Sequence, residues 1–223
     1  KDRPVDEINT GELLQALRRI ESRNAIDTAK RIGNYFRNIF IYSVACGYST
    51  HNPAADLTKA LKVTPKRNLP AITEPSQITE LLRAIDGFKG TVSVGCALRF
   101  APRVFLRVGE LRAAAWTEFD LDNNLWTIPA KRMKMKRDHV VPLARQAVAI
   151  LKDLEPFTGS GRLVFPSVRT PARPMSENTL NVALRRLGYS KDEMVSHGFR
   201  SMASTRLHEM GWQSEIIEFQ LAH

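Results

Sequence analysis

Residues 125–142 read Leu125-Trp126-Thr127-Ile128-Pro129-Ala130-Lys131-Arg132-Met133-Lys134-Met135-Lys136-Arg137-Asp138-His139-Val140-Val141-Pro142. Two short runs rich in aromatic and β-branched residues, 125–128 and 139–141, flank a segment in which five of the seven residues 131–137 are basic. That pattern reads as strand, basic turn, strand. Alternation predicts Arg132, Lys134 and Lys136 on one strand face, with Met133 and Met135 on the other. Three cations on one face can follow a phosphate backbone, although a solvated hairpin rim has the same composition. Lysine is also a usable general acid when burial or neighbouring cations lower its pKa.

Around this hairpin the hydrophobic period is helical. Asn9 with Glu12 three residues later is a capping box, opening a helix with Leu13, Leu14, Leu17 and Ile20. Ala29, Ile32, Phe36, Ile39, Phe40 and Val44 predict a longer helix over about 26–46, with Lys30, Arg31 and Arg37 on its other face and Gly47 as its stop. Asn52-Pro53 predicts a short helix through Leu61. Residues 62–72, with two prolines and three basic side chains, read as an exposed linker. Beyond it, helices are expected near 75–86, from Thr91 to a bend or end at Pro102, and near 144–156, 176–187, 199–210 and 213–221. The expected fold is mainly α with a small antiparallel β-sheet.

The chain of 223 residues has 33 Lys plus Arg against 23 Asp plus Glu, a net charge of +10. The residues before Thr73 carry 12 basic and 7 acidic side chains and the remainder 21 and 16, so each part is +5. An even split suggests that both parts face one polyanion, because cations that neutralise phosphates release counterions. No apolar run approaches a membrane span or a signal-peptide core, so a cytoplasmic protein is expected. Cys46 and Cys96 each lie in an apolar segment and are expected to be buried thiols. Five scattered histidines exclude a structural zinc site, and no metal or cofactor is expected.

Other residues have chemical potential. His197-Gly198-Phe199-Arg200 places an arginine in the first turn of a helix, which suits an anion held by that helix start. In Arg107-Val108-Gly109-Glu110-Leu111, Glu110 can pair with Arg107 or Arg112 and orient a guanidinium fork. Each pattern alone has an ordinary structural explanation: a surface pair, a chance His-x-x-Arg, a terminal amphipathic helix ending at His223.

Taken in order, these pieces resemble the tyrosine recombinase family, in particular the phage-type integrases of prophages, satellite phages and genomic islands. The resemblance covers the whole chain: residues 1–64 look like a helical core-binding domain, incomplete at its start, 65–72 like the linker, and 73–223 like the catalytic domain. It implies a first catalytic arginine at Arg107, a hairpin lysine eight residues before Pro142 at Lys134, a histidine and second arginine at His197 and Arg200, and a further histidine, in Leu221-Ala222-His223, at His223. Trp116, Phe119-Asp120-Leu121 and Trp126-Thr127-Ile128-Pro129 fall between them in the family's order.

The same resemblance implies a tyrosine nucleophile beyond that last histidine, forming a 3′-phosphotyrosyl link. The four tyrosines, Tyr35, Tyr42, Tyr48 and Tyr189, all precede His197, so a fragment that binds DNA without cleaving it in cis is expected. No arm-binding domain is expected in it. Implied partners are double-stranded attachment sites, three further copies in a tetramer on paired sites, and accessory DNA-bending or directionality proteins, in a bacterial host's nucleoid. The fragment itself is expected to be a monomer. Candidate DNA contacts are Lys30, Arg31, Arg37, Lys66, Arg67, Arg132, Lys136, Asn178, Asn181, Arg185 and Arg186. Two rivals use the same charge: a type IB topoisomerase, with similar phosphate chemistry, and a non-catalytic DNA-binding module, which needs no convergence of Arg107 and Arg200.

Overall fold

A computed structural model describes residues 3–63, 69–133 and 135–222 of the chain. It divides into two compact units, Lys1–Arg67 and Asn68–His223. Four residues singled out above, Lys66, Arg67, Lys134 and His223, lie outside the described residues.

In the first unit, helix α1 (Thr10–Glu21) packs on α2 (Ile26–Ala45). The capping box at its start is complete: Asn9 Oδ1 accepts from the Glu12 amide at 3.1 Å and Glu12 Oε2 accepts from the Asn9 amide at 3.1 Å. Arg3 also reaches the Glu12 carboxylate. Hydrogen bonding from Arg3 and from Asn9 holds that carboxyl at about 2, far below the ordinary glutamate range. Gly47, at φ 73°, ends α2 as only glycine does without strain, and the Tyr48 amide returns to the Ser43 carbonyl. Leu13, Leu17, Ala29, Phe40, Ala54, Leu57 and Leu61 form the small core. The expected helix from Pro53 is reduced to one 3-10 turn, Leu57–Ala60, because Asn52 Oδ1 accepts from the Ala54 amide and closes a tight turn instead. Cys46, expected to be buried, is exposed just past α2.

The second unit is mainly helical around one core. Its elements are α3 (Pro75–Asp86), α4 (Val92–Val104), α5 (Val108–Arg112), β1 (Phe119–Asp120), β2 (Leu125–Ile128), β3 (His139–Pro142), α6 (Arg145–Thr158), β4 (Pro166–Ser167), β5 (Thr170–Pro174), α7 (Thr179–Arg186), α8 (Gly198–Glu209) and α9 (Ser214–Gln220). Strands β1-β2-β3 form an antiparallel sheet in that order, with Ile128 opposite His139 and Leu125 opposite Pro142. Phe100 of α4, Trp126 of β2 and Phe165 are fully buried and meet at 5.7–5.8 Å between ring centroids. Phe119 stacks on Trp126 at 4.8 Å, which fixes the sheet to the helical core.

Three expectations change. Helix α4 passes through Pro102 and ends two residues later, at Val104, followed by Phe105, which adopts φ 58°. Pro102 there costs only one late helical bond, and its ring is buried in the core. The basic run is not a strand: Ala130–Arg132 is a 3-10 turn after Pro129, and Lys136 turns at φ 51°. Met133 is therefore buried while Met135 is exposed, and the predicted alternation is absent. The β4–β5 hairpin was not anticipated, since Pro166, Pro171 and Pro174 and a bulge hide its period.

The capping box yields a stability prediction. Asn9→Ala should lower unfolding free energy by about 1 kcal/mol in urea denaturation of the first unit's transition. The Glu12 contribution should be present above the unfolded carboxyl range near pH 4.5 and be lost as pH falls through about 2.

Candidate active site

Helix α4 is followed by the left-handed residue Phe105, and two residues later Arg107 caps α5. Glu110, one turn into α5, reaches back with both oxygens. Oε2 accepts from the Arg107 amide at 2.9 Å and Oε1 from Arg107 Nη1 at 3.0 Å. The carboxylate is 5% exposed and the Arg107 side chain 27%. The guanidinium is thus oriented by a buried anion while keeping an open edge.

Arg200 enters from another direction. His197 is the residue before α8, and Arg200 is its third residue, buried at 4% exposure. Helix α8 comes close to the backbone of residues 70–71: a Cβ on Gly198 would lie 2.6 Å from the Pro70 carbonyl oxygen, so glycine is required there. Arg200 Nη1 donates to the Phe105 carbonyl at 2.8 Å and Nη2 to the Leu221 carbonyl at 2.6 Å. The neighbouring Ala222 carbonyl accepts from both terminal nitrogens of Arg107 at 3.5 Å. Two guanidiniums ninety-three residues apart in sequence therefore meet on consecutive carbonyls of one turn. Burial, and then the positive charge of Arg107, push the Arg200 pKa down, opposed by Glu110 and Glu218. That repulsion is what an anion between them would relieve.

The other sequence candidates are placed variously. His197 is exposed at the start of α8, one turn before Arg200. Arg132 is turned inward: Nη1 donates to the Glu110 carbonyl at 3.1 Å and Nη2 to Glu118 Oε2, which also accepts from Trp126 Nε1 at 3.1 Å. Its side chain is 17% exposed, so it braces the sheet and α5 rather than offering an open cation. Arg185 donates to the Met194 carbonyl, and Asn181 Oδ1 accepts from the Ser196 amide at 2.8 Å. Both secure the segment leading into His197. Arg186 lies over the Phe88 ring at 5.4 Å and donates to the Lys89 carbonyl. Lys136 and Asn178 are exposed; in the first unit Arg31 and Arg37 are exposed and Lys30 half-buried, all on α2.

Sequence reasoning missed His139, the first residue of β3. It is 7% exposed, and the charges of Glu110, Arg200 and Arg107 all act on it. Burial lowers its pKa, partly offset by a hydrogen bond to the Gln220 backbone. The alternation in 139–142, with His139 and Val141 both inward, carries a signal that this histidine is not a surface residue. Among the described residues no group of three His, Cys, Asp or Glu could hold a metal ion, and no helix is long and apolar enough to cross a membrane.

Residues 72–223 match the phage integrase family and residues 1–60 the phage integrase central domain. The chain belongs to the tyrosine-recombinase, or phage integrase, family. It is 38% identical over 233 residues to the integrase of Enterobacteria phage P4, covering 98% of this chain and 53% of that protein. It is 36% identical to prophage integrase IntA of Escherichia coli K12, covering all of this chain and 53% of that protein. This integrase-family chain thus spans about half the length of these curated relatives. Its fold is that of the lambda integrase (75–356) dimer bound to a COC′ core site, with a TM-score of 0.76 at 21% identity over 100% of this chain and 81% of that one.

The Glu110 clamp is testable in this integrase-family chain. Glu110→Ala leaves the Arg107 amide and a half-buried guanidinium without their anion, and should cost about 3 kcal/mol in chemical denaturation. Glu110→Gln, which keeps an acceptor but not the charge, should cost about half as much in the same measurement.

Proposed function

We propose that the chain is the DNA-binding and phosphate-activating part of a site-specific recombinase that integrates or excises a prophage or genomic island. The observation that supports it most directly is the meeting of Arg107 and Arg200 on the Leu221–Ala222 turn. A guanidinium pair, one arginine fixed by a buried carboxylate and the other by two carbonyls, is prepared for the non-bridging oxygens of one backbone phosphate. Negative charge grows there as a nucleophile adds, so donors placed in advance lower the barrier without reorganising. In this reading the attacking group is a tyrosine hydroxyl, which leaves a 3′-phosphotyrosyl link and a free 5′-hydroxyl. Lys134 protonates the departing 5′-oxygen, His197 takes part in proton transfer, and His223 hydrogen-bonds the phosphate. The covalent link conserves the phosphodiester, so rejoining needs no nucleotide cofactor.

None of the chain's four tyrosines is assigned as nucleophile. Tyr35, Tyr42 and Tyr48 belong to the first unit, and burial together with Glu80 and Glu193 raises the Tyr189 phenol, the wrong direction for attack. The nucleophile is placed in the remainder of the whole protein, and the chain alone would hold DNA without cutting it. The first unit would be the core-binding domain, residues 65–72 the linker and residues 73–223 the catalytic domain. Of the candidate cations, Arg31, Arg37 and Lys136 are exposed and would meet the DNA backbone, with Lys66 and Arg67 in the linker. Solved structures of similar fold include a lambda integrase dimer bound to a COC′ core site and a lambda integrase tetramer bound to a Holliday junction. By analogy a tetramer on paired attachment sites is proposed for the whole protein, with accessory bending or directionality proteins.

The test uses the full-length protein and a nicked duplex carrying its attachment site. Arg200→Lys cannot bridge the two carbonyls and a phosphate, and should slow formation of the DNA-linked protein by about 10²-fold or more, with duplex affinity changed less than about threefold. An undiminished adduct in that variant, or none from the folded wild type, would count against the mechanism.

A further inference from the structure

The end of α9 is held by three side chains in succession. Gln220, Leu221 and Ala222 each engage one group from elsewhere in the unit through the backbone: His139 at Gln220, Arg200 at Leu221 and Arg107 at Ala222. The last carbonyls of a helix have no partner within it and carry the negative end of its dipole, so this turn suits donors and cations. Two of the three visitors are the guanidiniums proposed to bind phosphate. The third is a histidine that the mechanism above does not use.

His139 is built into this place. It opens β3, opposite Ile128 of β2, and its ring lies edge-on to Phe219 at 6.1 Å and 64°. Its Nε2 is buried without a hydrogen-bond partner among the described residues. Burial in such a site favours the neutral ring, and so do the positive charges of Arg200 and Arg107, while Glu110 opposes them. A neutral imidazole has a single N–H to give, and the bond to Gln220 uses it.

We propose that His139 is a positioning residue for the phosphate site: by donating to Gln220 it fastens the end of α9 to β3, and so sets the Leu221 and Ala222 carbonyls against Arg200 and Arg107. The proposal rests on the recombinase reading for what the two guanidiniums do. It also gives the hairpin a role beyond its lysine, because the segment from Pro129 to Asp138 is anchored at its far end by this residue.

The donor role and a packing role predict opposite behaviour for two substitutions. Leucine fills the space against Phe219 but has no N–H; asparagine is smaller but presents an amide N–H near the position of Nδ1. In the full-length protein on its nicked attachment-site duplex, His139→Leu should slow single-turnover adduct formation by about tenfold or more, with duplex affinity and melting temperature close to wild type, whereas His139→Asn should stay within about threefold of wild type. A wild-type rate in His139→Leu overturns the proposal, as does an asparagine variant as slow as the leucine one. Should the leucine protein not fold, the asparagine variant decides alone: within about threefold supports the donor role, a tenfold loss overturns it. An adduct formed equally fast by wild type and both variants sinks the role of His139 and leaves the recombinase reading standing, whereas no adduct from wild type overturns both.

Discussion

A guanidinium taken almost wholly out of water is the constraint around which the second unit is arranged. Arg200, 4% exposed, loses its hydration and must recover it from fixed acceptors. Those acceptors are the carbonyls of Phe105 and Leu221, neither of which lies next to it in sequence. The end of α4, the start of α8 and the end of α9 are therefore tied together by one side chain. Phe105 takes a left-handed conformation that a bulky residue ordinarily avoids, at a cost of about 1 kcal/mol, and its carbonyl accepts from Arg200. A backbone outlier of this kind is consistent with a functional site.

The second cation makes the arrangement electrostatically loaded. Arg107 brings another full charge to the same turn, and the protein offsets it with the buried carboxylate of Glu110 and with carbonyl dipoles. The offset is incomplete, as the depressed Arg200 pKa reports. A site held in this state attracts a doubly shared anion more strongly than scattered surface cations could, and it does so without rearranging. In the proposed function the wider +10 charge would contribute approach and non-specific hold, not the chemistry.

Much of this was legible in the chain because local rules dominate where elements are exposed on one side. The Asn9–Glu12 box, Gly47 after α2, the helix near 75–86 and the flanking strands expected at 125–128 and 139–141 all appear as their residues predict. Where the reading failed, a contact distant in sequence had decided the matter. Arg132 faces Glu118 and the Glu110 carbonyl, not the solvent, and no local pattern announces that pairing. Pro102 is accommodated by burial in the last turn of α4, and the β4–β5 hairpin is held by the core at Phe165 and Met175 despite its prolines. Of the site, motif order pointed to Arg107 and Arg200, whereas the carbonyls that receive them and His139 beside them depend on how α9 returns to β3.

The account stands on two arginines sharing one phosphate. Its most direct test is a crystal structure of the protein on an attachment-site duplex, with the distances from each guanidinium to the backbone phosphates as the measured quantity. One phosphate with non-bridging oxygens within hydrogen-bond reach of both Arg107 and Arg200 is the predicted result. Guanidiniums bound to separate phosphates, or a duplex lying on a surface that neither arginine touches, would contradict it.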